Sequence, residues 1–214
     1  MLLDLRVAFD AVDHGILFDV LSSRLRVTDR VFEWFQSYLT GRTQVFCTGS
    51  DYSEVTLIAC SVPQGSVTGP LLFIAYTEDL EDTISRITFN HHMYADDTQL
   101  LAHMSLKGVQ YVRSVLERCI LAIQDWCSSR RLQLNLDKTV VIWVGSKNNL
   151  MKLQKEDIAL KIGSVVINPS NSVRDSDVLL DNELTMWPHI DKYLRCVFII
   201  YGACGNYVVS LIGL

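Results

Sequence analysis

The sequence predicts an α/β (α+β) fold in which a small, mostly antiparallel sheet packs against helices, with helical residues outnumbering strand residues. Three features carry that expectation. Short apolar runs of β-branched character break repeatedly at Gly, Asn, Asp and Pro. One long segment, Ser105 to Ser129, repeats Val109, Val112, Leu116, Cys119, Ile120, Ile123 and Trp126 at helical spacing. Two apolar stretches, Ile87 to Met93 and Thr98 to Ala102, flank Tyr94-Ala95-Asp96-Asp97 and read as strands joined by a tight turn tipped with carboxylates.

From the N-terminal end, Met1 to Val7 is apolar and extended in character, and residues 10–15 supply turn formers before a helical pattern from Ile16 to Leu25. Thr28 is placed to cap a second helix with Asp29 in its first turn. Val31, Phe32, Phe35, Tyr38 and Leu39 form its apolar stripe, and Gly41 stops it. Gln44 to Thr48 and Glu54 to Val62 flank Gly49-Ser50-Asp51 and predict a hairpin. Pro63 to Pro70 is a loop whose last residue suits the first turn of a helix running to about Leu80. After the long helix and Leu132 and Leu134, Thr139 to Val144 predicts another strand, and short apolar runs broken by Gly163, Pro169 and Asp-rich turns complete the chain.

A chain of 214 residues, 49% hydrophobic, can bury one core of its own. Its net charge of -5 argues against a free-standing nucleic-acid binder, which would carry a basic excess to attract phosphate. The acidic excess is local. Residues 51–100 hold eight acids against Arg86 as their sole Lys or Arg, whereas residues 101–150 are net basic. Glu78, Asp79, Glu81 and Asp82 read as a solvated helix end. The six cysteines (Cys47, Cys60, Cys119, Cys127, Cys196, Cys204) contain no C-x-x-C pair, which argues against a zinc knuckle or a dithiol motif and suggests small, reduced core residues. No basic segment leads into an apolar one at the start, so no secretory signal and an intracellular location are expected. The uncharged run Cys196 to Leu214 is weakened as a membrane span by Gly202, Gly205, Asn206 and Gly213 and has no charged anchor after it; a buried helix or unfolded tail is expected instead.

Two acidic positions carry chemistry. Adjacent carboxylates at Asp96 and Asp97 repel one another, and a hard divalent cation would relieve that repulsion; Asp-Asp turns also occur without metal. Asp4 lies in an apolar strand, where an uncompensated charge is costly, and is either exposed at a strand end or supplied with a partner. If its strand lies beside the Tyr94 to Asp97 hairpin, three carboxylates converge and could hold two metals for in-line displacement at a nucleotide phosphate.

Residues Asp4-Leu5-Arg6-Val7-Ala8-Phe9-Asp10-Ala11-Val12-Asp13-His14 resemble motif A of the reverse transcriptases of LINE-type, non-LTR retrotransposons, especially the jockey-like group with its D-L-S-x-A-F-D-x-V-D-H run. Val62 to Phe73 is similar to their V-P-Q-G-S-V-L-G-P-L-L-F motif B, Tyr94 to Asp97 to motif C, and Leu132 to Thr139 to the L-x-L-N-x-x-K-T of motif D; Ser172 to Ile190 resembles the segment that follows. The likeness implies RNA-directed DNA polymerase activity on a polymerase palm, with an RNA template, a DNA primer, deoxynucleoside triphosphates and two Mg2+ ions, or Mn2+. It implies that Asp4 and Asp96 are the principal metal ligands, assisted by Asp97. Phe9 would exclude a 2′-hydroxyl, Gln64 and Gly65 would line the nucleotide pocket, and Lys138 would lie near the leaving pyrophosphate.

The family places fingers, with basic residues for the triphosphate, ahead of motif A, so a truncated copy of little or no activity is expected. Three departures point the same way: Thr68 replaces the usual Leu, Val140 an acid, and Ser176-Asp177 a Leu-Gly pair in a primer-contacting hairpin. The organisation expected is palm over 1–147, the end of the palm and start of a thumb-side region over 148–195, and an apolar tail over 196–214. A domesticated remnant that binds nucleic acid or protein without catalysis is the alternative, disfavoured by the intact Asp4, Asp96 and Asp97. No membrane partner is expected.

Overall fold

The computed structural model describes residues 1–87, 89–153 and 158–194. The chain divides into two compact units, Met1–Thr139 with Leu160–Ile167, and Val140–Ala159 with the chain from Asn168 onward.

The first unit begins with β1 (Leu2–Leu3) and β2 (Leu5–Arg6), separated by Asp4 alone. Helix α1 (His14–Asp19) is capped by Asp13, whose Oδ1 accepts a hydrogen bond from the Ile16 amide at 3.0 Å, and continues through a π-helical turn over Val20–Arg24. Helix α2 (Asp29–Leu39) starts after Thr28 as expected, although the Thr28 hydroxyl donates to Asp29 and makes no cap bond. Gly41, at φ 69, takes the left-handed conformation that stops helices. The expected hairpin is a two-tier ribbon: β3 (Thr43–Gln44) pairs with β6 (Thr56–Leu57), and β4 (Cys47–Thr48) with β5 (Asp51–Tyr52) around Gly49-Ser50, all eight paired residues exposed.

The single helix expected to reach Leu80 is two, α3 (Gly69–Thr77) and α4 (Leu80–Ser85). The break at Glu78-Asp79 carries Asp79 inward, where it pairs with Arg130 and accepts the Trp126 indole N–H at 2.8 Å, while Glu78 pairs with Arg24. These two acids are therefore ion-paired, and Asp79 is not part of a solvated helix end.

Strands β7 (Asn90–Tyr94) and β8 (Asp97–Leu101) form the hairpin, and β1 pairs with β8 to give an antiparallel sheet in the order β1-β8-β7. The first strand starts at Asn90, not Ile87, and the turn proper is only Ala95-Asp96. Helix α5 (Val109–Ser129) buries every residue of its expected stripe and packs against α4 and against β9 (Gln133–Leu134), which pairs with β2. Helix α6 (Lys147–Leu153) belongs to the second unit. Strands β10 (Leu160–Ile162) and β11 (Val165–Ile167) form a hairpin on α5, pinned where the Lys161 amide donates to Glu117 at 2.8 Å. Cys119 and Cys127 sit in the core, and burial pushes their thiols up to about 11 and about 12. Cys47 and Cys60 are exposed, contrary to expectation; Cys196 and Cys204 lie outside the described residues.

In the second unit, β12 (Ser172–Asp175) and β13 (Val178–Asp181) form a hairpin. Burial would raise the Asp181 carboxyl, but amides of Thr185, Met186 and Glu183 and the Thr185 hydroxyl donate to it and hold it below the usual range. The strand expected over Thr139 to Val144 reduces to isolated bridge residues, Val140 and Ile142, the latter paired with Ser170, because Thr139 is drawn into a turn in which its amide and hydroxyl both donate to the Asn135 carbonyl. Among the described residues no helix is long and apolar enough to cross a membrane; the run Cys196 to Leu214 lies outside them.

Candidate active site

Asp4 stands where the first strand changes partners. Leu3 pairs with Thr98 in one ladder and Leu5 with Leu134 in another, so both neighbours of Asp4 are tied down and buried. The β1–β8 ladder, Leu2 to Gln99 and Leu3 to Thr98, ends at the pair whose next residues are Asp4 on one strand and Asp97 on the other. Tyr94 pairs with Asp97, leaving Ala95 and Asp96 to make the turn. Ala95 has φ 54, a conformation a side chain adopts at a cost of about 1–2 kcal/mol, and the closure puts Asp96 at the tip next to Asp97.

Asn135, 8% exposed, holds Asp4 from behind. Its side-chain amide donates to Asp4 Oδ2 at 3.0 Å, and its main-chain amide donates to the Asp4 carbonyl at 2.8 Å. Lys138 Nζ lies 3.6 Å from the same Oδ2 and is exposed. Among the described residues both carboxylate contacts of Asp4 therefore fall on Oδ2. Asn135 falls at the Asn of the motif D-like stretch, a position to which the sequence alone assigns no role; the signal for one is a polar residue among the apolar Leu132, Leu134 and Leu136.

The second group of expected residues forms around the Pro63 loop. Pro63 to Ser66 closes a turn, the Ser66 amide donating to the Pro63 carbonyl at 3.2 Å, with Gly65 at φ 74. That conformation, not close approach of another group, is what requires glycine here, since a Cβ at Gly65 would meet nothing within 4 Å. Gly69 is the crowded position, where a Cβ would stand 2.9 Å from the Pro63 carbonyl. The Val62 amide donates to the Phe9 carbonyl at 3.0 Å and the Gln64 side chain to Asp10 at 3.0 Å, so loop and motif A segment are zipped together. The Phe9 ring is half-buried and stacks on Phe73 of α3 with centroids 4.5 Å apart.

Asp13, His14 and Tyr76 are structural by their contacts. Asp13 caps α1 and pairs with Arg131, His14 meets the Ser61 carbonyl at 2.8 Å, and burial raises the Tyr76 hydroxyl, which donates to the Arg130 carbonyl. Among the described residues no three His, Cys, Asp or Glu side chains are grouped to hold a metal ion. The carboxylates of this edge thus make an open arrangement. Its hard oxygen donors suit a cation that takes one or two carboxylates and completes its shell from water and phosphate.

Residues 1–165 match the family described as reverse transcriptase (RNA-dependent DNA polymerase). The chain is 26% identical over 203 residues to a probable RNA-directed DNA polymerase from transposon BS of Drosophila melanogaster, covering 90% of this chain and 21% of that protein. It is 24% identical to the RNA-directed DNA polymerase from mobile element jockey of Drosophila funebris, over 88% of this chain and 20% of that protein. A probable RNA-directed DNA polymerase from transposon X-element of Drosophila melanogaster is 27% identical over 89% and 20%. The chain thus spans about a fifth of the length of the curated relatives it matches. With the four motifs gathered on the frame described above, the family match over residues 1–165 places this chain in the reverse transcriptase family.

Proposed function

We propose that residues 1–147 form the palm of an RNA-directed DNA polymerase, with 148–195 leading toward the thumb side, and that Asp4, Asp96 and Asp97 hold divalent cations for nucleotidyl transfer. The single observation that supports this best is the β1–β8 register, whose last pair, Leu3 to Thr98, is flanked by Asp4 on one strand and Asp97 on the other, beside a turn carrying Asp96. Mg2+, or Mn2+ in its place, would neutralise charge on the triphosphate of the incoming deoxynucleotide and lower the barrier to attack by a primer 3′-hydroxyl on an RNA template.

The residues themselves supply position. Asn135 fixes one oxygen of Asp4 and leaves the other for ligation. Lys138, exposed and beside that carboxylate, can turn toward a leaving pyrophosphate and neutralise it or donate a proton. Phe9, stacked on Phe73, offers a fixed face against the sugar that favours deoxynucleotides, and the Gln64-Gly65 turn borders the same pocket. Alone, this chain extends primers poorly, because a net charge of -5 repels the phosphate backbone.

The test is primer extension on an RNA template with Mg2+ and with Mn2+, for the parent chain and Asp96→Asn, alongside Mn2+ binding followed by water-proton relaxation. Extension and Mn2+ binding should both fall in the variant. Equal extension and equal Mn2+ binding in the two proteins would reject the carboxylate assignment.

A further inference from the structure

We propose that a cleft of about 750 Å³ at the open end of the β7–β8 hairpin binds the phosphodiester backbone of single-stranded RNA. Arg86, Phe89, Asn90, His103, Tyr111 and Arg118 supply its polar and aromatic lining, over a floor that includes Val112 and Val115. The strands are five residues long and rise about 3.3 Å per residue, so this end stands roughly 13 Å from the carboxylate turn. It is a separate place from the nucleotide pocket.

Among the described residues no acid lines the cleft, in a chain with 24 acids against 19 Lys and Arg. Three acids of the two neighbouring helices are engaged elsewhere: Asp82 and Glu81 of α4 face Arg24 and His91, and Glu117 of α5 accepts from the Lys161 amide and lies 3.8 Å from Arg113. Neither the Arg86 nor the Arg118 guanidinium has a carboxylate partner among the described residues. Two such groups at one cleft favour an oxyanion that accepts in-plane hydrogen bonds, as phosphate does. The Tyr111 ring is 71% exposed at the rim and Phe89 is half-buried beside it, which provides flat faces for unpaired bases. Charge alone would suit a free anion. Charge with aromatic faces in an open cleft suits a strand. The choice of RNA rests on the polymerase reading proposed above.

The test measures binding of a labelled single-stranded RNA of about 12 nucleotides to the full 214-residue chain by fluorescence anisotropy across a salt series. The parent should bind, and Arg86→Gln/Arg118→Gln should bind more weakly, with the slope of log K against log salt shallower by about 1.4, two contacts at about 0.7 each. Arg86→Lys/Arg118→Lys, which keeps both charges, should restore the slope. Asp96→Asn should bind RNA as the parent does, so loss of extension with binding intact bears on the polymerase reading alone. A parent that fails to bind, a Gln pair with the parental slope, or a Lys pair that does not restore it would overturn the proposal. So would inorganic phosphate displacing the RNA at the concentration at which chloride of equal ionic strength leaves it bound, since that marks a free-anion site.

Discussion

Asn135 is the residue through which the structure makes its sharpest claim. It is 8% exposed, its side chain donates to Asp4 Oδ2 at 3.0 Å, and its Oδ1 faces the Lys138 amide at 3.4 Å. A hydrogen bond to a charged acceptor contributes about 1.5–3 kcal/mol, and water reaching the quarter-exposed Asp4 side chain recovers part of that. Asn135→Ala should therefore lose about 2 kcal/mol, a large share of the roughly 5–15 kcal/mol that holds a domain folded. Lys138→Ala should lose less than about 0.5 kcal/mol, because an ammonium 72% exposed contributes little across 3.6 Å of screened space. Asn135→Asp replaces the donor by a second carboxylate. At an oxygen separation of 3.0 Å and an effective dielectric near 20 the repulsion is about 5 kcal/mol, only part of which is relieved by rotation. Urea unfolding of the three variants at neutral pH gives the ordering, and repeating it near pH 4–5 lets the new acid pair share a proton and regain stability. An Asn135→Asp protein as stable as the parent at neutral pH, or a Lys138→Ala loss equal to that of Asn135→Ala, would refute the claim that Asn135 positions the acid.

Four further outcomes follow from the described contacts. Gly69→Ala should cost more than Gly65→Ala in thermal unfolding, since the first forces a Cβ to 2.9 Å from a carbonyl while the second meets only the strain of φ 74, about 1–2 kcal/mol. Thiol titration of the native chain should find Cys47 and Cys60 reactive and Cys119 and Cys127 silent until denaturant is added. The two buried thiols also set an alkaline limit: their folded values are raised to about 11 and about 12, so their contribution is complete below the ordinary value of 9.0 and is lost above it, by about 1.4 kcal/mol per thiol per pH unit until each folded value is passed. Ser176 and Asp177, at φ 45 and 70, occupy a two-residue hairpin turn that prefers Asn-Gly, so Ser176→Asn/Asp177→Gly should raise stability by about 1 kcal/mol despite losing the exposed Arg174 pair, read as a higher melting temperature.

Local chemistry was legible in the residues. The α5 stripe, the Asp13-to-Gly15 entry to α1, the glycine turns and the carboxylate-tipped hairpin each depend on neighbours within a few positions, where spacing and backbone preference act without help from the rest of the chain. The errors came where a distant partner outweighs local preference. Asp79 looked like one of four solvated acids until Arg130 and the Trp126 indole, about fifty positions away, gave it a reason to turn inward and break the helix. Thr139 to Val144 has the β-branched character of a strand, but a ladder needs a partner and the Asn135 turn takes its first residue away.

By itself, then, the order of residues determined the family and most of the elements that carry its motifs, because motif and periodicity are properties of consecutive positions. Only the tertiary structure decided that Asp4 sits at the switch between two ladders, one residue past the Leu3–Thr98 pair and gripped by Asn135, a residue 131 positions away. Strand register and long-range hydrogen bonds are set by which surfaces are buried together, and that is a property of the folded chain alone.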